Sequence, residues 1–321
     1  MIDFVRHRVL FFVISAVLIV PGLVSLALPD GINPGIDFTS GSILTLQFEH
    51  PVEQGDLREA LGSIGHPEAI VQRSDNVYLV RTFPLAGEVR DFAGEIVRPS
   101  ERQTIEQALE ARFGTVDVLG FDSVSPLVAA EIVQKSVLGV IVACGGILLY
   151  LWWAFRKVKD SWRYGACAVF ALVHDALLLL GIFSLLGRFS HVELDALFIT
   201  ASLTVIGFSV HDTIVVFDRI RENLQRFAGE SFETVVNHSL TQTLGRSLST
   251  SITSLLVMVA LLLFGGVTMR PFVLALVIGI VSGTYSSIFN ASMLLVVWQN
   301  GELARLFGRQ PPAPETVRAP A

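Results

Sequence analysis

Six stretches of the chain are apolar for long enough to cross a lipid bilayer, and polar segments separate them. A hydrocarbon core of ~30 Å takes about 20 apolar residues in helical form. Residues 9–28, 132–154, 164–186, 195–217, 247–266 and 271–298 meet that length. Arg6 and Arg8 precede the first stretch as they would in a secretory signal, but the run is too long and no small-residue cleavage site follows before Pro29. It is expected to stay as a helix.

Between residues 29 and 131 the period changes. Ser42 to Glu49 alternates as a strand, with Ile43, Leu44, Leu46 and Phe48, and a helical pattern follows near Gln54–Ile64. Ala69–Arg73 and Val77–Phe83 read as a hairpin joined at Ser74-Asp75-Asn76. Ser100 opens a second helix as a capping box with Gln103, Gly114 closes it, and Thr115–Phe121 gives a last strand. The order βαββαβ predicts a ferredoxin-like sheet with its helices on one face. The expected fold is an α-helical polytopic membrane protein of six spans, with a ferredoxin-like α+β extracytoplasmic domain between the first and second. Its divisions are 1–28, 29–131, 132–298 and a disordered tail, 299–321, with the Pro-rich run Gln310-Pro311-Pro312-Ala313-Pro314.

Composition agrees with a lipid setting: 52% of residues are hydrophobic, 16% are charged, and the mean hydropathy is +0.61. This excludes a basic nucleic-acid reader and a disordered scaffold. Charge is partitioned. Residues 29–131 carry 17 acidic and 7 basic side chains, a net of −10, and the remainder nets +4. Basic residues near span ends set orientation. With both termini inside, the inner segments hold Arg6, Arg8, Arg156, Lys157, Lys159, Arg163, Arg219, Arg221, Arg226, Arg246, Arg305, Arg309 and Arg318. The short outer loops hold only Arg188 and Arg270. The acidic insert then lies outside the cytoplasmic (inner) membrane.

Ionisable groups inside spans are costly, so each is a functional candidate. Asp212 falls 15–17 residues from the outer end of its span, ~22–26 Å deep, and Asp175 about 11 residues into the third span, ~17 Å along it. Arg246 opens the fifth span, and its long side chain can reach toward the depth of Asp212. An acid and a guanidinium so placed can alternate between a protonated state and an ion pair, as a proton relay requires; a static pair holding helices in register is the plainer alternative. Asp175 can equally bond a hydroxyl or backbone group on a neighbouring helix. His174 and His211 each precede an aspartate, but adjacent helical positions diverge by ~100°, and no His-Glu-x-x-His occurs. No metal or other cofactor is expected, and no nucleophile–base pair marks an enzyme. Asn290 is expected to form an interhelical hydrogen bond. Cys144 and Cys167 lie in apolar runs and read as buried hydrophobes. Small residues crowd the last three spans, Gly207, Ser209, Ser247–Ser254, Gly279, Ser282, Gly283, Ser286 and Ser287 among them, and let helices approach closely.

Several runs resemble one family. Gly35-Ile36-Asp37-Phe38-Thr39-Ser40-Gly41 is similar to the Gly-Ile-Asp-Phe-Thr-Gly-Gly of the SecF protein-export subunits. So are Val173-His174-Asp175, the stretch from Asp212-Thr213-Ile214-Val215-Val216-Phe217 to Asn223, Thr241-Gln242-Thr243-Leu244-Gly245-Arg246-Ser247, and Gly283-Thr284-Tyr285-Ser286-Ser287-Ile288-Phe289. Departures are Ser40 for a usual glycine, Ser125 within a usual Val-Gly-Pro, and Met293 where proline is usual. The resemblance covers about residues 1–305. It implies a member of the resistance–nodulation–division type of proton-driven machines, with relay residues at Asp212 and Arg246. It also implies SecD and the SecYEG channel (with YajC) as partners, a translocating polypeptide as cargo, and no role for nucleic acid. Six spans with one relay aspartate look like half a transporter, so the other half is expected on another polypeptide. Competing expectations are a half-transporter of small or lipidic substrates and an assembly subunit without ion chemistry.

Overall fold

The computed structural model describes residues 3–29, 31–74, 76–90, 96–156, 161–190, 192–227, 229–266 and 269–302. Asp75 of the expected turn, Lys157, Lys159 and the tail from 303 onward, with Arg305, Arg309 and Arg318, lie outside the described residues. Among the described residues six helical segments are long and apolar enough to cross a membrane: Val5–Ala27, Pro126–Ala154, Ser161–Ser190, Ala196–Arg226, Phe232–Phe264 and Arg270–Gln299. In chain order they contain α1 (Arg8–Ala27), α5 (Pro126–Phe155), α6 (Ser161–Ser190), α7 (Ala196–Arg226), α8 (Phe232–Phe264), α9 (Arg270–Tyr285) and α10 (Ser292–Gln299). Between α9 and α10 the chain widens into a π-helical turn, Ser286–Ala291.

The fold separates into two compact units, residues 34–137 and the remainder. Unit 34–137 holds β1 (Gly41–Phe48), β2 (Ile70–Ser74), β3 (Val77–Thr82), β4 (Val89–Arg90), β5 (Ile96–Arg98) and β6 (Val116–Val124). With them are α2 (Ile36–Thr39), α3 (Gln54–Ser63) and α4 (Glu101–Phe113). The main sheet runs β2-β3-β1-β6 with every pairing antiparallel, the ferredoxin-like order expected from βαββαβ. Alternation puts Leu44, Leu46 and Phe48 of β1 against Leu57, Leu61, Ile105 and Leu109 of the two long helices. Ser100 caps α4 by accepting from the Gln103 N–H at 3.3 Å, and Gly114 ends it at φ +86°. Tyr78 closes the core: its hydroxyl donates to the Val52 carbonyl at 2.7 Å and accepts from the Val52 N–H at 2.9 Å. The short β4–β5 ribbon was not foreseen; two and three residues carry too little alternation to register.

In the other unit, close-packed seams fix two helix pairs. Ser15 meets His174, Gly22 meets Gly181 and Ser25 meets Ser184, a constant offset of 159 residues, so α1 and α6 run parallel. Likewise Gly279 lies on Val205, Gly283 on Ser209 and Ser287 on Thr213, which sets α7 and α9 parallel. Where glycine or serine stands on such a seam, backbones approach and polar side chains reach across.

Residues 218–246 read as a long inner loop, yet α7 continues to Arg226 and α8 begins at Phe232. Arg246 therefore lies within α8, where the polar first half of that helix gives way to the apolar run. Polarity limits what lipid tolerates, not what forms a helix: Glu222, Gln225, Glu233 and Gln242 are adequate helix formers. At 33 residues α8 is ~50 Å long, and its polar first half extends beyond any ~30 Å core.

Candidate functional site

Two intramembrane aspartates occupy opposite environments. Asp175 is 1% exposed and fully partnered. Its Oδ2 accepts from the hydroxyls of Ser209 and Ser286, each at 2.6 Å, and its Oδ1 from Ser282 at 2.7 Å. The His174 Nδ1 lies 3.1 Å from Oδ1. Three helical elements thus deliver hydroxyls to one carboxylate: α7, α9 and the π turn. Gly283 makes this possible, because a Cβ there would stand 3.0 Å from the Cβ of Ser209.

The network continues outward from His174. Its Nε2 lies 3.0 Å from Ser15 Oγ on α1, and Ser15 stands 2.7 Å from Asn290 Nδ2 and 3.1 Å from Asn290 Oδ1. Tyr285 donates to the Phe11 carbonyl at 2.6 Å and also neighbours Ser15. On the other side Thr213 donates to Ser287 at 2.9 Å, and Ser287 donates to the Ser209 carbonyl at 2.9 Å.

Asp212 is the contrast. It is 3% exposed, faces α8, and has one long hydrogen bond, from Ser247 at 3.4 Å to Oδ1. Its Oδ2 is buried without a hydrogen-bond partner among the described residues. The expected Arg246 contact is not formed as an ion pair: Arg246 is exposed and no pair within 4.0 Å joins it to Asp212. The reason is angular. Ser247 points at Asp212, so its neighbour is turned ~100° around α8. His211 is likewise exposed beside Asp212.

Around these two residues runs a polar stripe. Thr200, Thr204, Gly207 and His211 follow one face of α7 at helical spacing, and Arg246, Ser249, Thr250 and Thr253 line α8; all are exposed on this chain. Other exposed stretches of the spans are apolar, as along Val9, Val13, Val17 and Val20 of α1 and Leu138, Ile141 and Leu148 of α5. Cys167 is buried and Cys144 half-buried. No grouping of three metal-ligating side chains occurs among the described residues.

Asp212, singled out by its place in an apolar run, is buried with one long hydrogen bond, whereas the role of Asp175 as a hub carried no local signal in its own span. Ser209, Ser282 and Ser286 read only as small packing residues, and Ser15 passed unnoticed. The i, i+4 spacing of Ser282 and Ser286 on one face, opposite a buried acid, was the available signal.

Fold and site together define a multi-pass membrane protein whose polar chemistry is enclosed within its spans. Residues 104–301 match the family described as protein export membrane protein SecD/SecF, C-terminal, and residues 30–52 match the SecD/SecF GG motif. The protein translocase subunit SecF of Thermobaculum terrenum is 51% identical over 97% of this chain and 98% of its own length. That of Anaerolinea thermophila is 39% identical over 96% and 98%. The chain belongs to the SecF family of protein translocase subunits.

The crystal structure of SecDF, a translocon-associated membrane protein from Thermus thermophilus, superposes with a TM-score of 0.78 at 35% identity. It covers 93% of this chain, which spans 39% of that longer polypeptide. A structure of SecDF in a super-membrane-facing form gives a TM-score of 0.62 at 32% identity, over 96% of this chain and 40% of the other.

Proposed function

We propose that this subunit couples the proton-motive force to late polypeptide translocation across the cytoplasmic membrane, with Asp212 and Arg246 as its relay. The observation that carries the reading is the buried Oδ2 of Asp212, which has no hydrogen-bond partner among the described residues. A carboxylate so placed is satisfied either by a proton or by a cation brought to it. Arg246, one residue from Ser247, is the nearest guanidinium on α8 able to serve by a modest rotation or shift of that helix. Proton entry to Asp212 then weakens its attraction to Arg246 and lets α8 move. Each proton crossing the membrane can contribute ~2.3 kcal/mol per 100 mV.

Polar side chains facing lipid are expensive, so the stripe from Thr200 to His211 and from Arg246 to Thr253 supports a partner half. We assign that half to SecD, with the SecYEG channel (and YajC) beside it. The excess of basic residues near inner span ends supports cytoplasmic termini and an extracytoplasmic unit 34–137, which meets the emerging chain.

The test is proton-gradient-dependent export in inner-membrane vesicles. Asp212→Asn and Arg246→Met should leave the complex assembled and abolish the gradient-dependent phase. Full export by Asp212→Asn would remove the relay and favour an assembly role.

A further inference from the structure

We infer that His174 and Asp175 form a second proton-binding site, separate from Asp212, and that the Ser15 hydroxyl passes its occupancy to the π turn of the last span. The inference follows from hydrogen counting. Ser209, Ser282 and Ser286 all have a hydroxyl hydrogen within bonding distance of Asp175, and His174 Nδ1 lies beside the same carboxylate. An ionised carboxylate accepts all four and donates none. With the carboxylate ionised, the Nδ1 hydrogen of His174 is committed to it.

The other ring nitrogen decides the rest. Ser15 has one hydrogen to give and three acceptors in reach, His174 Nε2 at 3.0 Å, Asn290 Oδ1 at 3.1 Å and the Tyr285 hydroxyl oxygen, whose own hydrogen goes to the Phe11 carbonyl. With the imidazole neutral, Nε2 is an acceptor and takes the Ser15 hydrogen, which leaves Asn290 Oδ1 without it. With the imidazole protonated, Nε2–H donates to the Ser15 oxygen, and the Ser15 hydrogen is released to Asn290 Oδ1 or the Tyr285 oxygen. One proton on α6 therefore changes what Asn290 receives. Asn290 and Ser286 both lie in the turn Ser286–Ala291, and π turns are local departures that such contacts can hold or release. Ser286 has a matching choice, with the Gly283 carbonyl 3.2 Å away as an alternative to Asp175.

Charge supports the protonated state as one of the two. The described side chains hydrogen-bonded to the pair, Ser15 on α1, Ser209 on α7, Ser282 on α9 and Ser286 in the turn, are uncharged, as are Tyr285 and Asn290, which bond Ser15. Asp212 faces α8, and His211 and Arg246 are exposed. Among the described residues the one ion-pair partner of Asp175 is His174. An imidazolium there makes the pair neutral overall; its loss leaves a net negative charge enclosed in the bundle, which nothing but hydroxyls offsets.

The test is solution or solid-state NMR of the intact protein in lipid, with 15N-labelled histidine and asparagine and His174→Gln to assign the ring. As the pH is lowered, the 15N shifts of the His174 ring should report its passage from the neutral to the doubly protonated form. The Asn290 side-chain amide should shift with the same midpoint. Ser15→Ala should keep the ring titration and lose the Asn290 shift, and Asp212→Asn should leave both intact. A ring fixed in one protonation state throughout would overturn the proposal using wild-type protein alone. An Asn290 response that survives Ser15→Ala or His174→Gln would overturn the transmission, and its loss in Asp212→Asn would show one site, not two.

Discussion

Gly22 of α1 and Gly181 of α6 touch backbone to backbone: a Cβ on Gly22 would stand 2.5 Å from the Cα of Gly181. The same seam holds Ser15 at 3.0 Å from His174 and Ser25 at 2.7 Å from Ser184. Separating the helices at the glycines therefore lengthens both polar bridges. Gly22→Ala must push backbone against backbone, with no flexible side chain to yield, and overpacking of this kind costs about 1–3 kcal/mol. The purified protein should unfold at lower temperature in detergent. An unchanged unfolding temperature would mean that α1 is free to slide away from α6.

Asp175 receives more hydrogen bonds than any other side chain in the spans described above, and its loss should be felt as stability before it is felt as export. Asp175→Ala strands three buried hydroxyls and one ring N–H. Unsatisfied buried donors cost 1–3 kcal/mol each, partly recovered by rotation, so a net loss on the order of 3 kcal/mol is expected. Asp175→Asn keeps one acceptor and should lose roughly half as much. The check is the unfolding midpoint of each variant beside Asp212→Asn, whose own midpoint should change least because Asp212 has a single long contact at 3.4 Å.

Those two aspartates also mark where the sequence was legible. Apolar length located every spanning helix, since the demand of a ~30 Å core leaves few alternatives. Alternation likewise located the strands of the main sheet. The cost of a bare acid in lipid singled out Asp212. Convergence was hidden: nothing local says that Ser209, Ser282 and Ser286 reach one carboxylate, because that depends on which helices pack and at what distance. The aim of the Arg246 side chain was hidden for a related reason. Its position at the edge of an apolar run says where lipid begins, whereas its aim depends on a helix phase set by Ser247. The π turn at Ser286–Ala291 gave no pattern, because one wide turn leaves the apolar period almost unchanged.

In the α+β unit, Glu68 offers a pH handle. Partial burial opposes its ionisation, but the Thr82 hydroxyl at 2.6 Å, nearby backbone N–H groups and His66 at 3.6 Å prevail, and its carboxyl titrates below the ordinary value. A group depressed in the folded state adds stability above its unfolded pKa of ~4.3, and that stability is lost as pH falls through the folded value. Acid should therefore loosen β2 and β3 where Glu68 and Thr82 meet. Thr82→Val should flatten that acid dependence and lower stability at neutral pH. Hydrogen–deuterium labelling of β2 and β3 amides after incubation at each pH checks both, and an equal acid response in the variant would assign the loss elsewhere.

Ser40 supplies the last prediction. It joins α2 to β1 at φ +64°, ψ +163°, a region that costs a residue with a side chain about 1–3 kcal/mol. The conformation is imposed from both sides. Its N–H donates to the Ile36 carbonyl at 2.8 Å, closing α2. The next residue, Gly41, enters the sheet at φ +142°, where a Cβ would stand 2.9 Å from the Thr82 carbonyl oxygen. No side-chain hydrogen bond of Ser40 would be lost on truncation among the described residues. Ser40→Gly relieves the strain and gives back ~0.4–1 kcal/mol through the freer unfolded chain, so a net gain of roughly 1 kcal/mol is expected. Gly41→Ala should move the other way by more than that, since it adds both strain and a clash. Unfolding midpoints of the two variants, measured in the intact protein, should fall on opposite sides of the unmodified chain; if both fall below it, the serine is holding this corner through a contact of its own.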